Sequence, residues 1–248
     1  MTEIAQITRP SADLVARVQA VGAASASATL AHMGIRNCHI TGPVSFNKGK
    51  SIAGPALTLQ FMPKREDLYG EGEYASVEKQ LHRHVLYQVE KGDVVVVDAR
   101  GDITAGVFGD MMMTYFRGRG GAGMVVDGAI RDFVNVQKLD VPLWLTAVTP
   151  NFHTQTGLMP FAVNVPIACG GVTVIPGDII VADDDGAVCV PIALAEKMIE
   201  NATQQHDWED FSRMKLMQGA PLQMYYPLHD DARPEYEEWR KSNPIKHD

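Results

Sequence analysis

Cysteine is scarce. Cys38, Cys169 and Cys189 are the three in 248 residues, far apart and without CxxC spacing, which argues against a disulfide framework or a zinc ribbon. Cys189 sits between valines, so reduced, buried thiols are the expected state. Positive charge is also short: 22 Lys and Arg against 30 Asp and Glu leave a net charge of -8, and no Lys/Arg cluster stands out except the sparse pair Arg117 and Arg119. That balance excludes the basic footprint of a nucleic-acid binder, and no nucleic acid is expected as a direct partner. Long apolar runs are missing as well. Residues 14–35 are broken by Arg17, Gln19, a Ser/Thr series and His32, and Met1-Thr2-Glu3 lacks the start of a signal peptide. No membrane partner is expected, and the expected location is cytoplasmic. Internal repeats and low-complexity tracts are absent too.

With 46% hydrophobic residues the chain can bury a full core, and its length sits at the upper end for one domain. Ser11 before the apolar positions Leu14, Val15, Val18 and Val21 predicts a capped helix, followed by a second over residues 25–33 ending at Gly34. Residues 40–50 read as loop and residues 52–62 as a strand. Val77, Leu81, Val85, Leu86 and Val89 carry helical spacing across residues 74–91. Val94-Val95-Val96-Val97 is too uniform for a half-exposed strand and is expected at the centre of a sheet. Helix is expected over 107–117, strand over 124–126, helix over 132–138 and strand over 142–147, an alternation that predicts a parallel α/β layer. Short strands with tight turns then follow over 163–190, and a long helix starts at Pro191. Residues 228–248 are polar and read as a solvated end or an arm on a neighbouring subunit. The expected division is one α/β domain over 1–210 and an extension over 211–248.

Two segments carry candidate chemistry. Gly106-Val107-Phe108-Gly109-Asp110 opens a helix, and free amides at such a start suit a substrate carboxylate or phosphate. The alternative is a turn whose glycines supply positive φ, with Asp110 a solvated acid. Asp127-Gly128-Ala129-Ile130-Arg131-Asp132 follows a buried strand that should project Arg131 and Asp132 at its C-terminal end, where open α/β sheets place their chemistry. A carboxylate there can hold a hard divalent cation while the guanidinium neutralises an oxyanion. The alternative is turn chemistry at Asp127-Gly128, a cap at Asp132 and a surface ion pair. Asp183-Asp184-Asp185-Gly186 lacks EF-hand spacing and reads as a hairpin turn. His82 and His84 would point to different sides of a helix, and His206 stands beside Asp207 and Glu209 at a charged helix end. Met111, Met112 and Met113 read as core or pocket filling.

The chain resembles the RraA-like family, which contains the regulator of ribonuclease activity A and the class II 4-hydroxy-4-methyl-2-oxoglutarate / 4-carboxy-4-hydroxy-2-oxoadipate aldolases. The resemblance is carried by Gly54-Pro55-Ala56-Leu57-Thr58, Gly92-Asp93 through Asp98, Phe108-Gly109-Asp110, Gly123 through Asp132, and Pro176-Gly177-Asp178 through Asp184-Asp185-Gly186, over roughly residues 25–210. It implies a swivelling β/β/α fold with an extra C-terminal helix and tail, assembled as a homotrimer or homohexamer with sites at subunit boundaries. It further implies that Asp132 ligates Mg²⁺ or Mn²⁺, that Asp110 holds a metal-bound water, and that Arg131 contacts a small 2-oxo acid. Amides of Gly109, Asp110, Met111 and Met112 would bind the acid's carboxylate, and Asp207 or Glu209 of a neighbouring subunit would complete the metal site. The longer connection over 61–74 and the tail after Phe211 depart from the compact members and bear on the substrate.

The activity so implied is retro-aldol cleavage to pyruvate through an enolate stabilised by the metal and Arg131, with oxaloacetate decarboxylation as a side activity. Two other readings stand beside it: a non-catalytic regulator acting through protein contact, which the acidic charge suits, and a metal-dependent dehydratase or hydrolase of sugar-acid derivatives.

Overall fold

A computed structural model describes residues 4–69, 76, 79–152 and 157–243, with backbone alone for 204–206. Val77 and residues 70–73 of the long connection therefore lie outside the described residues, as do the side chain of His206 and the last five residues. The described chain forms two compact units, Met1–Glu196 and Lys197–Asp248.

In the first unit, α1 (Ala12–Val21) starts where the Ser11 hydroxyl accepts the Leu14 amide, and α2 (Ala23–His32) follows after Gly22 turns the chain at φ 77°. The segment expected as loop holds two short strands, β1 (His39–Ile40) and β2 (Val44–Ser45). Two-residue strands leave no alternation to read, so only their edge pairing reveals them. β3 (Ile52–Pro63) precedes α3 (Leu81–Tyr87), whose described helix is shorter than the apolar spacing predicts. β4 (Val94–Gly106), α4 (Asp110–Gly118), β5 (Gly123–Ile130), α5 (Phe133–Val136) and β6 (Leu143–Val148) supply the expected alternation. β7 (Leu158–Val163), the hairpin β8 (Ile167–Cys169) and β9 (Val172–Val174), and the hairpin β10 (Ile179–Asp183) and β11 (Gly186–Val190) complete the unit.

Among the described residues one sheet runs β1-β11-β10-β3-β4-β5-β6-β2, with β7 also paired to β3. β3, β4, β5 and β6 are parallel, and β10 joins β3 antiparallel, so the α/β and β-rich portions share a single sheet. Val95, Val97, Met124 and Val126 face one core while Val94, Val96 and Val125 face another. Coverage on both faces is why the valine run lacks alternation. The N-terminal segment is tied down by Arg9, whose guanidinium donates to both oxygens of fully buried Asp93 at 3.0 and 2.8 Å.

Asp183 through Gly186 is the expected hairpin turn, and its acids are structural. Asp183 accepts the Ala23 amide at the start of α2, and Asp184 accepts the Gly49 amide and the Ser45 hydroxyl. All three cysteines are free and buried, and burial pushes the Cys169 and Cys189 thiols well above the usual range.

The second unit has a core of its own, into which helix α6 (Ala195–Met217) carries Phe211. The polar tail is not simply solvated. After α7 (Leu222–Tyr225), helix α8 (Arg233–Ser242) brings the Tyr236 and Trp239 rings to 5.7 and 5.6 Å from that of Phe211, while Leu228 and Ala232 are buried. A few aromatics suffice, since each buries far more surface than its share of the composition suggests. No single helix among the described residues is long and apolar enough to cross a membrane.

Candidate active site

β5 does not turn at Asp127-Gly128. It continues to Ile130, with Asp127 paired in register to Asp98 of β4. Packing explains the missed length: a Cβ on Gly128 would lie 2.6 Å from that of Ala99, so this glycine serves close strand approach. Arg131 and Asp132 thus emerge directly from the end of a buried strand, as expected.

Residues 107–108 are not yet helix. The Val107 amide donates to the Ala129 carbonyl and the Arg131 amide to the Phe108 carbonyl, so this segment runs beside the end of β5 and delivers the start of α4 to the pair. Gly109 is the N-cap, and a Cβ there would stand 2.6 Å from Asp132 Oδ2. Its backbone is extended, so the requirement for glycine is proximity to that carboxylate. Gly106 is equally confined, at 2.4 Å from the Asn151 carbonyl and 3.0 Å from Arg131 Cβ.

Asp132 adopts φ 58°, a left-handed conformation that Asp tolerates better than most residues, and its side chain caps no helix. Its Oδ2 instead accepts Arg131 Nε at 2.9 Å, with the two side chains 35% and 31% exposed. An ion pair so accessible adds little stability, so its value lies in holding both groups where they are. The guanidinium also lies over Phe152, 5.9 Å from the ring centre.

Asp110 is the first residue of α4. Its Oδ1 accepts the Met111 amide at 2.8 Å and its Oδ2 accepts Asn135 Nδ2 at 3.3 Å. One of the amides expected to face a substrate carboxylate is therefore already engaged by Asp110 itself. The three methionines divide: Met113 is fully buried, Met112 packs partly against the core, and Met111 is exposed.

Gly109, Asp110, Met111, Met112, Arg131 and Asp132 all line one cleft of about 410 Å³. Gly106, Val107, His82 and Phe152 line it too. His82 was legible in part, since it shares the apolar face of Val85, Leu86 and Val89, and the structure buries it against Phe108. Phe152 lies beside an irregular segment and gave no periodic signal, and Asn135 lies in the short helix α5, where no motif marked it for the site. Asp207 belongs to the second unit, where Tyr236 donates a hydrogen bond to it and Arg240 forms an ion pair with it; Glu209 lies two residues further along α6.

Among the described residues no three His, Cys, Asp or Glu side chains gather as a ligand set. Within the cleft the carboxylates are Asp132 and Asp110. That donor set does not suit zinc, which takes three or four protein ligands, but fits Mg²⁺ or Mn²⁺, which accept one or two carboxylates and fill remaining positions with water and substrate oxygens.

On the other face of β4 and β5 lies a second pair of acids. Asp98 is 6% exposed, and its carboxylate accepts the amides of Arg100 and Ala168, while Asp127 Oδ2 accepts the Gly170 amide at 3.0 Å. Burial, reinforced by the neighbouring Asp127 charge, raises the Asp98 pKa.

Comparison with known proteins agrees with this architecture. The RraA-like family, described as Aldolase/RraA, matches residues 20–189. A Halalkalibacterium halodurans protein named "Putative 4-hydroxy-4-methyl-2-oxoglutarate aldolase" is 35% identical over 159 residues, covering 64% of this chain and 69% of that protein. The crystal structure of Streptomyces coelicolor RraAS2, an unusual member of the RNase ES inhibitor RraA protein family, is 45% identical with a TM-score of 0.76, covering 84% of this chain and 98% of that one. The RNA-processing inhibitor RraA from Thermus thermophilis is 26% identical with a TM-score of 0.51, covering 66% and 92% respectively.

Proposed function

The chain belongs to the RraA-like family, which includes both aldolases and non-catalytic regulators, and from that premise we propose that it is a divalent-metal-dependent lyase releasing pyruvate from a small 4-hydroxy-2-oxo acid. The observation that carries this reading is the partly exposed Arg131–Asp132 pair, set by the end of β5 into a cleft that also receives Asp110. Such a pair contributes little to folding, and its placement makes sense if it serves a ligand.

Asp132, and Asp110 through water, would hold Mg²⁺ or Mn²⁺, which when bound supplies Lewis-acid polarisation of the 2-oxo group. Arg131 keeps its terminal nitrogens for the substrate, because the contact to Asp132 uses Nε. Those nitrogens take the 2-oxo acid and neutralise negative charge as it grows on the carbonyl oxygen. The amides of Gly109, Asp110 and Met112 orient the carboxylate at the positive end of α4. Asp110 receives the proton of the 4-hydroxyl through water as the C3–C4 bond breaks and its electron pair enters the pyruvate enolate. Return of a proton to C3 then yields pyruvate. Loss of CO₂ from oxaloacetate produces the same enolate, so both reactions belong to one site. In this proposal the protein is a homotrimer or homohexamer, and Asp207 or Glu209 of a neighbour completes the metal's surroundings.

The likeness to RraAS2 favours a second reading, a regulator that binds a ribonuclease. Its partner would be a protein, with RNA brought near only through that enzyme. Pyruvate release from oxaloacetate and from 4-hydroxy-4-methyl-2-oxoglutarate with Mg²⁺ separates the two. The lyase reading expects turnover that Arg131→Ala lowers by about 10³-fold with the fold retained. No turnover of either substrate by the unaltered protein rejects it.

A further inference from the structure

We propose that Asn135 is a positioning residue for Asp110, holding that carboxylate in the orientation from which it receives, through water, the proton of the substrate's 4-hydroxyl group. The inference rests on the lyase reading and adds to it a residue on which the proton step depends.

The backbone of Asp110 is fixed by its helix. It opens α4, and Thr114 Oγ1 donates to its carbonyl at 2.8 Å. What remains is rotation of the carboxylate, and two donors restrict it, one to each oxygen: the Met111 amide to Oδ1 at 2.8 Å and Asn135 Nδ2 to Oδ2 at 3.3 Å. A carboxylate oxygen accepts more than one hydrogen bond, so each keeps a lone pair for water. A water between Asp110 and the substrate then meets a set plane, and such orientation is worth rate.

Asn135 is itself held from two sides. Its backbone N–H donates to the Asp132 carbonyl at 2.9 Å in the first turn of α5, and Lys138 Nζ donates to its Oδ1 at 3.1 Å. An ammonium group donates and cannot accept, so Lys138 draws the side-chain oxygen toward itself and leaves the NH₂ to face Asp110. This one residue therefore ties Asp110 to the backbone of Asp132, although the two carboxylates repel each other. Its structural return is small, because Asn135 and Lys138 are both exposed.

The two reactions of the site make different demands on Asp110. In retro-aldol cleavage the O–H bond of the 4-hydroxyl breaks, its proton passes to Asp110, a carbonyl forms at C4 and the C3–C4 electron pair enters the enolate. Oxaloacetate loses CO₂ from a carboxylate that is already ionised, so no such proton is taken up. Full-length Asn135→Ala with Mg²⁺ is expected to lower kcat for 4-hydroxy-4-methyl-2-oxoglutarate about tenfold with KM within about twofold, while oxaloacetate decarboxylation falls by less than about twofold. Asn135→Asp keeps the shape and the contact to Lys138 but sets an acceptor of like charge against Oδ2. Its expected loss with the glutarate is larger, about 10²-fold. Thermal unfolding of both variants should stay within about 2 °C of the unaltered protein. An unchanged glutarate rate in either variant removes donation to Asp110 from the mechanism, and equal losses in the two reactions of Asn135→Ala reduce the residue to support of the local fold. Either result overturns the inference and leaves the lyase reading standing. Oxaloacetate turnover by the unaltered protein without cleavage of the glutarate removes the proton step and the inference with it. Absence of pyruvate from both substrates overturns both readings.

Discussion

The strands β4 and β5 carry acids on both faces, and the two sets meet opposite fates. Beyond the end of β5, Asp132 sits beside a guanidinium in an open cleft, a third exposed, on a left-handed backbone, with a glycine cleared from its path. On the far face Asp98 and Asp127 stand side by side beneath the β8–β9 hairpin, with backbone amides as donors and Asp98 almost wholly buried. Carboxylates alone therefore do not mark a site. What distinguishes the first set is local cost accepted without structural return: a strained φ, an exposed ion pair and a glycine that no turn demands. The second set is the reverse, an electrostatic burden tolerated because it pins a hairpin over the sheet.

Asp132→Asn cuts deepest into this contrast. Asn tolerates the left-handed backbone as Asp does and keeps its volume, so stability should move by less than about 0.5 kcal/mol. The charge that balances Arg131 and would hold the metal is gone, and pyruvate release from oxaloacetate is expected to fall about 10³-fold. Thermal unfolding measured beside the steady-state rate tells the two apart. A variant that keeps its rate would return Asp132 to the surface ion pairs. Gly109→Ala should come next. The new methyl would meet Asp132 Oδ2 at 2.6 Å and has to displace the carboxylate or the start of α4. A shift on the order of 1 Å at such a position costs about 10²-fold in rate. If the rate survives, the close approach is incidental.

The same contrast explains how much could be read before the structure. The strand–helix alternation and the emergence of Arg131 and Asp132 from a buried strand followed from Val94 through Val97 and from the run before Asp127, because burial on two faces leaves an uninterrupted apolar pattern. The opening of a helix near Gly109 and Asp110 was legible as well, because a glycine turn before an acid suits a helix start. The course of β5 past Asp127-Gly128 was not, since the same dipeptide closes turns elsewhere, and its packing against Ala99 depends on a neighbouring strand. Phe152 reaches the site from a segment without periodicity, and Asn135 from the short helix α5, where no motif marked it. The second unit stayed hidden because its core comes from a handful of rings spaced along a polar sequence, and composition averages them away.

The far-face acids supply the smallest and most discriminating change, Asp98→Asn. Burial holds the Asp98 pKa above its ordinary value, and Asp127 adds to the shift, so the folded protein grips this proton more tightly than the unfolded chain does. Its contribution to stability is therefore present at low pH and is lost as pH rises from the ordinary carboxylate range through the raised folded value. Asn retains an oxygen for the amides of Arg100 and Ala168, and its NH₂ can donate to Asp127. At pH 8 the substitution should add about 1 kcal/mol, roughly 2–4 °C in Tm, with the gain shrinking toward pH 4. Oxaloacetate turnover should stay at the unsubstituted level, since Asp98 faces away from the cleft. If instead Asp98→Asn cuts turnover as Asp132→Asn does and leaves the Tm-against-pH profile unmoved, the two faces do not differ in kind, and the division between a structural and a chemical pair of acids fails.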